Sequence, residues 1–222
     1  MANIGALQLK QHYRFANQVA LQQAEPKFLP LPAPGFPALL SQGLTRGILA
    51  EVYGKRSSGR TSAALHLLAQ SSRLGEICAV IDLYDSFDPF SAANAGVQLD
   101  RLLWIRCGGN AEHAMRAADL LLHAGGFGMI FLDLCEASPR MLNRIPLSYW
   151  YRFRRAIEQT PTILLLCADV SQARSASLQM ETKRKRSRWS GEVPFLLLRG
   201  LEAHAVQKSA MLPPESLQIQ VA

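Results

Sequence analysis

Five apolar runs separated by segments of helical periodicity constrain this chain more than any other feature. The runs are GILAEVY (47–53), EICAVIDLY (76–84), LLWIRC (102–107), FGMIFLDL (127–134) and PTILLLCAD (161–169). None shows the alternation of a half-buried antiparallel strand. Between them lie TSAALHLLAQSSRLG (61–75), the short DSFDPFSAANAGV (85–97), NAEHAMRAADLLLHAGG (110–126) and SYWYRFRRAIEQT (148–160), which read as helices. Strands of this kind joined by helices predict a mainly parallel sheet covered on both faces, an α/β fold. Hydrophobic residues make up 49% of the 222 and charged residues 18%, enough for one substantial core. The longest apolar runs fall far short of the ~20 residues a membrane helix needs, and the N-terminus lacks the pattern of a signal peptide. A cytoplasmic protein without a membrane segment is the expectation.

The ends of the chain differ in character. Residues 1–24 read as an N-terminal helix, and 25–37 as an extended linker with five prolines and a glycine. The core domain is expected over 38–209, with a short proline-containing tail over 210–222. Past Val170, SASLQMET (175–182) and PFLLLRGLEAHAVQ (194–207) read as antiparallel strands joined by KRKRSRWSGEV (183–193). The linker is long enough for the 1–24 helix to fold back on its own core or to reach a neighbouring protomer.

A glycine loop gives the first chemistry. Gly54-x-x-x-x-Gly59-Arg60-Thr61 follows a strand and opens a helix, the context in which successive backbone N–H groups and a helix N-terminus cradle phosphate. Gly54, Ser57, Ser58, Gly59, Arg60, Thr61 and Ser62 form this candidate nucleotide site. Thr61 would place its hydroxyl on Mg²⁺, with Asp133, at the end of the fourth strand, as the second metal-site carboxylate. Arg60 stands where such loops carry lysine. It is longer, planar and forked, so it suits phosphate binding better than catalytic positioning. ATP with Mg²⁺ is the expected cofactor.

These residues resemble bacterial RecA. QGLTRGILAEVYGKRSSGRTS (42–62) is similar to that family's first strand and phosphate loop. AVIDLYDSFDPFSAANAGVQLDRLLWIRC (79–107) is similar to its next strand and beyond, and MIFLDL to the strand carrying the second nucleotide-site aspartate. The resemblance covers about residues 36–207 and implies a RecA-like P-loop core without the RecA C-terminal domain. It places Asp88 at the adenine-contact position. Where RecA carries a water-activating glutamate, this chain has Tyr84, a phenol of pKa ~10 and a poor base near neutrality. No catalytic residue is assigned; Asp85 faces the other way in an extended strand, and Asp82 lies two residues deeper. At most a weak DNA-dependent ATPase is expected, and a slow ATPase of other purpose would need Asp82 or Asp85 as a hidden base.

The segments between Asp133 and Ser148 and between Asp169 and Ser175 are short beside the RecA loops that hold single-stranded DNA, and this truncated core resembles the ImuA-type accessory proteins of damage-induced mutagenesis and the related inhibitor SulA. That resemblance implies a DNA-repair and translesion-synthesis accessory role. Its partners would be RecA, an inactive Y-family-type polymerase homologue of the ImuB type, an error-prone replicative-type polymerase and single-stranded DNA. The alternative is a scaffold that binds no nucleotide, or a SulA-like cell-division inhibitor acting through protein partners.

Charge placement refines this picture. The formal net charge is +7, which favours polyanionic partners. Arg140, Arg144, Arg152 and Arg155 gather around an aromatic helix, SYWYRF, too rich in large rings to bury them all on one face. Lys183, Arg184, Lys185, Arg186 and Arg188 with Trp189 could grip a phosphate backbone and stack on a base, or could form a solvated turn. The four cysteines, Cys78, Cys107, Cys135 and Cys167, show no CxxC or Cys/His ligand spacing. They read as reduced, mostly buried thiols.

Overall fold

The computed structural model describes residues 27–31, 43–190, 197–207 and 216–221, with side chains over 27–31 and 43–184. The helix expected over 1–24 lies outside the described residues. Among the described residues, ten strands and five α-helices follow in chain order. They are β1 (Phe28–Leu29), β2 (Leu44–Thr45), β3 (Leu49–Tyr53), α1 (Arg60–Arg73), β4 (Cys78–Asp82), α2 (Pro89–Asn94), β5 (Leu102–Arg106), α3 (Ala111–Ala124), β6 (Met129–Asp133), α4 (Pro139–Leu142), α5 (Leu147–Ile157), β7 (Ile163–Ala168), β8 (Leu178–Ser190), β9 (Leu197–Gln207) and β10 (Ser216–Val221).

The large sheet has the order β10-β9-β8-β3-β7-β6-β4-β5. From β8 to β5 all neighbours pair in parallel, whereas β9 and β10 pair antiparallel. This is a RecA-like α/β fold, a six-stranded parallel sheet with helices on its faces and an antiparallel edge. β3, β4, β6 and β7 are buried at every residue, which explains their unbroken apolar character. Pleating sends alternate side chains to opposite faces. Ala50, Val52, Val80, Phe131 and Leu165 pack with α1 on one side. Ile81, Leu132, Leu164 and Leu166 pack with α3 and α5 on the other, around Trp150 and Phe153.

Three places depart from the sequence reading. The third run, β5, lies at the sheet edge, and its Leu103 and Trp104 are exposed. The basic run beginning at Lys183 is not a connecting turn. It continues β8 to Ser190, and pairing with β9 holds it extended. Residues read as a solvated turn therefore form the long arm of a β-ribbon. The proline-rich segment and the tail each contribute a strand: Phe28–Leu29 pairs with β2, burying Leu29 fully, and Ser216–Val221 pairs with β9.

Candidate functional site: a phosphate loop closed on its own arginine

The parallel order brings the C-terminal ends of β3, β7, β6 and β4 to one edge, where crossover loops leave the sheet. The glycine loop sits between β3 and α1, as its sequence predicts. Gly59 caps α1 at φ +92°, a left-handed conformation that glycine adopts without strain. Gly54 is required for a different reason. A Cβ there would stand 2.5 Å from the Thr182 carbonyl oxygen and 2.6 Å from Ser58 Oγ, so the loop lies against β8. The buried Ser58 hydroxyl bonds the Thr182 hydroxyl at 2.7 Å, tying loop to strand. Ser57 is exposed at φ +59°, Thr61 is exposed in the first turn of α1, and Ser62 is half-buried.

Arg60 does not project into solvent to await phosphate. Only 4% of the residue is exposed. One guanidinium nitrogen, Nη1, donates to the Gly54 carbonyl. The other, Nη2, lies 2.9 Å from Asp169 Oδ1 and 3.6 Å from Glu136 Oε1. Burial alone would lower its pKa; the neighbouring Cys135, Asp169 and Cys167 more than offset that and raise it. Two carboxylates thus flank the Arg60 guanidinium, which joins Gly54 at the start of the loop to Asp169 just past β7. Asp169 reaches it because β7 pairs with β3, setting the two strand ends side by side. Gly54 N donating to Ala168 O fixes that junction.

The other nucleotide-site residues are equally occupied. Asp88 caps α2: its carboxylate accepts from the Ser91 hydroxyl and from the Phe90 and Ser91 N–H groups. Those bonds, the Ser91 hydroxyl first, hold its pKa below the usual range. Tyr84 is 40% exposed, and its hydroxyl points to Met141 Sδ at 3.6 Å. The two candidate hidden bases are committed elsewhere. Asp82 is fully buried and accepts from Ser86 N, Phe87 N and Trp104 Nε1. The strand ends there and Asp85 turns to φ +59°, so alternation no longer governs its direction. Asp85 forms a two-point pair with Arg106 at 2.8 and 2.9 Å, which lowers its pKa.

Asp133 is 4% exposed, and each of its oxygens accepts one hydrogen bond: Oδ1 from Cys135 N at 2.9 Å, Oδ2 from Ser86 Oγ at 3.2 Å. Burial, first, pushes its pKa up. The thiols of Cys135 and Cys167 lie beside it, the three potential ligand atoms being within 4.8 Å of one another. Mg²⁺ takes octahedral oxygen ligands and keeps several waters, so the exposed Thr61 hydroxyl and, through water, the Asp133 carboxylate would suit it, whereas the two sulfurs would not.

Beside the loop lies a cleft of about 530 Å³, whose walls include Lys55, Arg56, Asp169, Glu181, Lys183 and Arg184. Loop and β8 thus contribute cations to one opening. Lys55 and Arg56 escaped the sequence reading, although the sequence places them between the loop's glycines. Lys183 pairs with Glu181 at 3.2 Å, and Arg56 with Glu136 at 3.2 Å. Along the same strand, Arg186, Arg188 and Trp189 stand opposite Glu202, Gly200 and Leu198 in β9; Lys185 falls within the irregularity between Arg184 and Arg186. The side chains of these four lie outside the described residues. The second basic cluster is separate. Arg152 is committed to Asp119 at 3.0 Å and stacks on Tyr149 at 4.5 Å. Arg140, Arg144 and Arg155 are exposed, with no ion pair among the described residues.

The fold and the loop define a class, a RecA-like α/β protein with a P-loop. Comparison with known proteins narrows the similarity. Residues 37–141 match the family model of the RecA N-terminal domain. Over 95 residues, 43% of this chain, it is 40% identical to Protein RecA of Rickettsia prowazekii, covering 28% of that protein. The same identity and extent hold for Protein RecA of Rhodospirillum rubrum and of Bacteroides thetaiotaomicron, covering 26% and 28% of those proteins. The matched stretch therefore spans about a quarter of each relative's length. No helix among the described residues is long and apolar enough to cross a membrane.

Proposed function

We propose that this protein is a RecA-like DNA-repair accessory protein that acts by binding single-stranded DNA and protein partners, without appreciable turnover of ATP. The observation that carries the proposal is the pairing of two features at one sheet edge. The loop's own arginine is neutralised by Asp169 and Glu136, while Lys55, Arg56, Lys183 and Arg184 line the adjacent cleft. A closed loop disfavours triphosphate, whereas an open cationic cleft continuing into a basic strand suits a phosphate backbone. ATP could enter only by drawing Arg60 away from its carboxylates, so nucleotide would act as a weak ligand of the loop. The residue contacting adenine would then be Asp88, released from its cap. In the mutagenesis reading, the partners are RecA, an ImuB-type inactive polymerase homologue and an error-prone replicative-type polymerase, in the cytoplasm.

The test is fluorescence anisotropy of a labelled oligonucleotide across a range of salt. Neutralising about three to four phosphates of a single strand gives a slope of roughly −2 to −3 in log affinity against log salt. Lys183→Ala with Arg184→Ala should reduce both affinity and slope. Salt-independent or undetectable binding refutes the DNA part of the proposal. A reading through protein partners alone has one observation in its favour: Leu120, Leu147 and Tyr151 are 64%, 57% and 61% exposed on the paired helices α3 and α5. A SulA-like inhibitor is a form of that reading, and the same titration separates it from DNA binding.

A further inference from the structure

The side chains of Asp133, Cys135 and Cys167 converge at the ends of β6 and β7, beneath the phosphate loop. Their three ligand atoms lie within 4.8 Å of one another, and the two sulfurs are 3.2 Å apart. All three residues are buried, and the cysteines are free. From this convergence we propose that Asp133, Cys135 and Cys167 bind a soft divalent cation, zinc by preference, in a three-ligand site with one open position.

The donor chemistry selects the metal. Two sulfurs and a carboxylate suit zinc, for which four-coordinate tetrahedral sites built from Cys and Asp are ordinary, and they discriminate against Mg²⁺ and Ca²⁺. The geometry requires little change. At a zinc–sulfur distance of ~2.3 Å, tetrahedral sulfurs stand ~3.8 Å apart, so the thiols need to separate by roughly half an ångström. The carboxylate is already oriented by Cys135 N and Ser86 Oγ, the kind of outer hydrogen bonding that fixes a metal ligand.

Charge closes the argument. Zinc displaces a proton from each thiol: Zn²⁺ plus two thiols and one carboxylate gives a complex of charge −1 and two released protons. The buried Arg60 guanidinium, next to Cys135, offsets part of that charge, although it also serves Asp169 and Glu136. The site is independent of the DNA-binding reading, since it uses no residue of the cationic cleft.

The experiment is a zinc titration of the full chain against a competing chromophoric chelator, repeated with Co²⁺ as a spectroscopic probe. One equivalent of zinc is expected, with a thiolate-to-cobalt charge-transfer band of two-sulfur intensity. Cys135→Ser and Cys167→Ser should each lower affinity by at least 100-fold, Asp133→Asn by 10- to 100-fold. Cys107→Ser, which alters a buried cysteine outside the cluster, should leave binding unchanged. Circular dichroism identifies variants that fold. The proposal is overturned by the absence of stoichiometric zinc in fully reduced wild-type protein, or by folded Cys→Ser variants that bind as tightly as wild type. Equal loss in the Cys107→Ser control would overturn it as well.

Discussion

Replacing Asp169 with asparagine should open the phosphate loop. In the native protein, Arg60 Nη2 is 2.9 Å from Asp169 Oδ1, with the arginine side chain 5% exposed and the aspartate side chain 42% exposed. A hydrogen bond to a charged group contributes about 1.5–3 kcal/mol, and the exposure of Asp169 places this pair at the lower end. Glu136, at 3.6 Å, remains as a weaker partner. The substitution also removes a negative charge from the place a phosphate would approach. Lowering the cost of releasing Arg60 by about 1.5 kcal/mol corresponds to roughly a tenfold gain in affinity. Titration of a fluorescent ATP analogue into wild type and Asp169→Asn reads this directly, and Arg60→Ala should abolish the gain. Equal or weaker binding by Asp169→Asn would refute the reasoning, because the carboxylate would then not be what holds the loop shut.

Three further outcomes follow from contacts elsewhere in the fold. Glu51 is buried in β3 and accepts from Ser171 Oγ, the Gln172 and Ala173 N–H groups and Gln179 Nε2, fixing the segment between β7 and β8. Glu51→Ala strands the buried Ala173 N–H and its half-buried neighbours and should cost about 3 kcal/mol in urea unfolding. Gly54→Ala forces its new methyl against the Thr182 carbonyl and should lower the melting temperature by several degrees, at about 1–3 kcal/mol for a contact that cannot relax. For Asp88, the folded pKa is depressed below 3.8, so its contribution to stability is complete above that value and disappears as pH falls through the folded value. Melting curves of wild type and Asp88→Ala should differ near neutrality and converge in strong acid.

The parallel core was legible because strands buried on both faces need unbroken apolar runs, and β3, β4, β6 and β7 supply them. The glycine loop was legible because its spacing is itself a local geometry. Arg60 was legible as a departure, but its partners were not. Asp169 and Glu136 meet it only because β7 lies beside β3 and β6 beside β7, which is a matter of topology. The same convergence hid the thiol pair, since Cys135 and Cys167 share no sequence spacing. At the basic run, local reasoning predicted a turn from lysine and arginine, which are weak strand formers; pairing with β9 overrides that preference. For Asp85, the expectation of strand alternation failed one loop too far, because the strand stops at Asp82.

The central claim is that this RecA-like protein binds without turning over ATP. Phosphate release from Mg²⁺–ATP, measured with and without saturating single-stranded DNA, tests it most directly. The account predicts release indistinguishable from a no-protein control under both conditions. Hydrolysis stimulated by DNA, and lost in Arg60→Ala, would contradict it, since a closed loop lacking a free base could not sustain such a reaction.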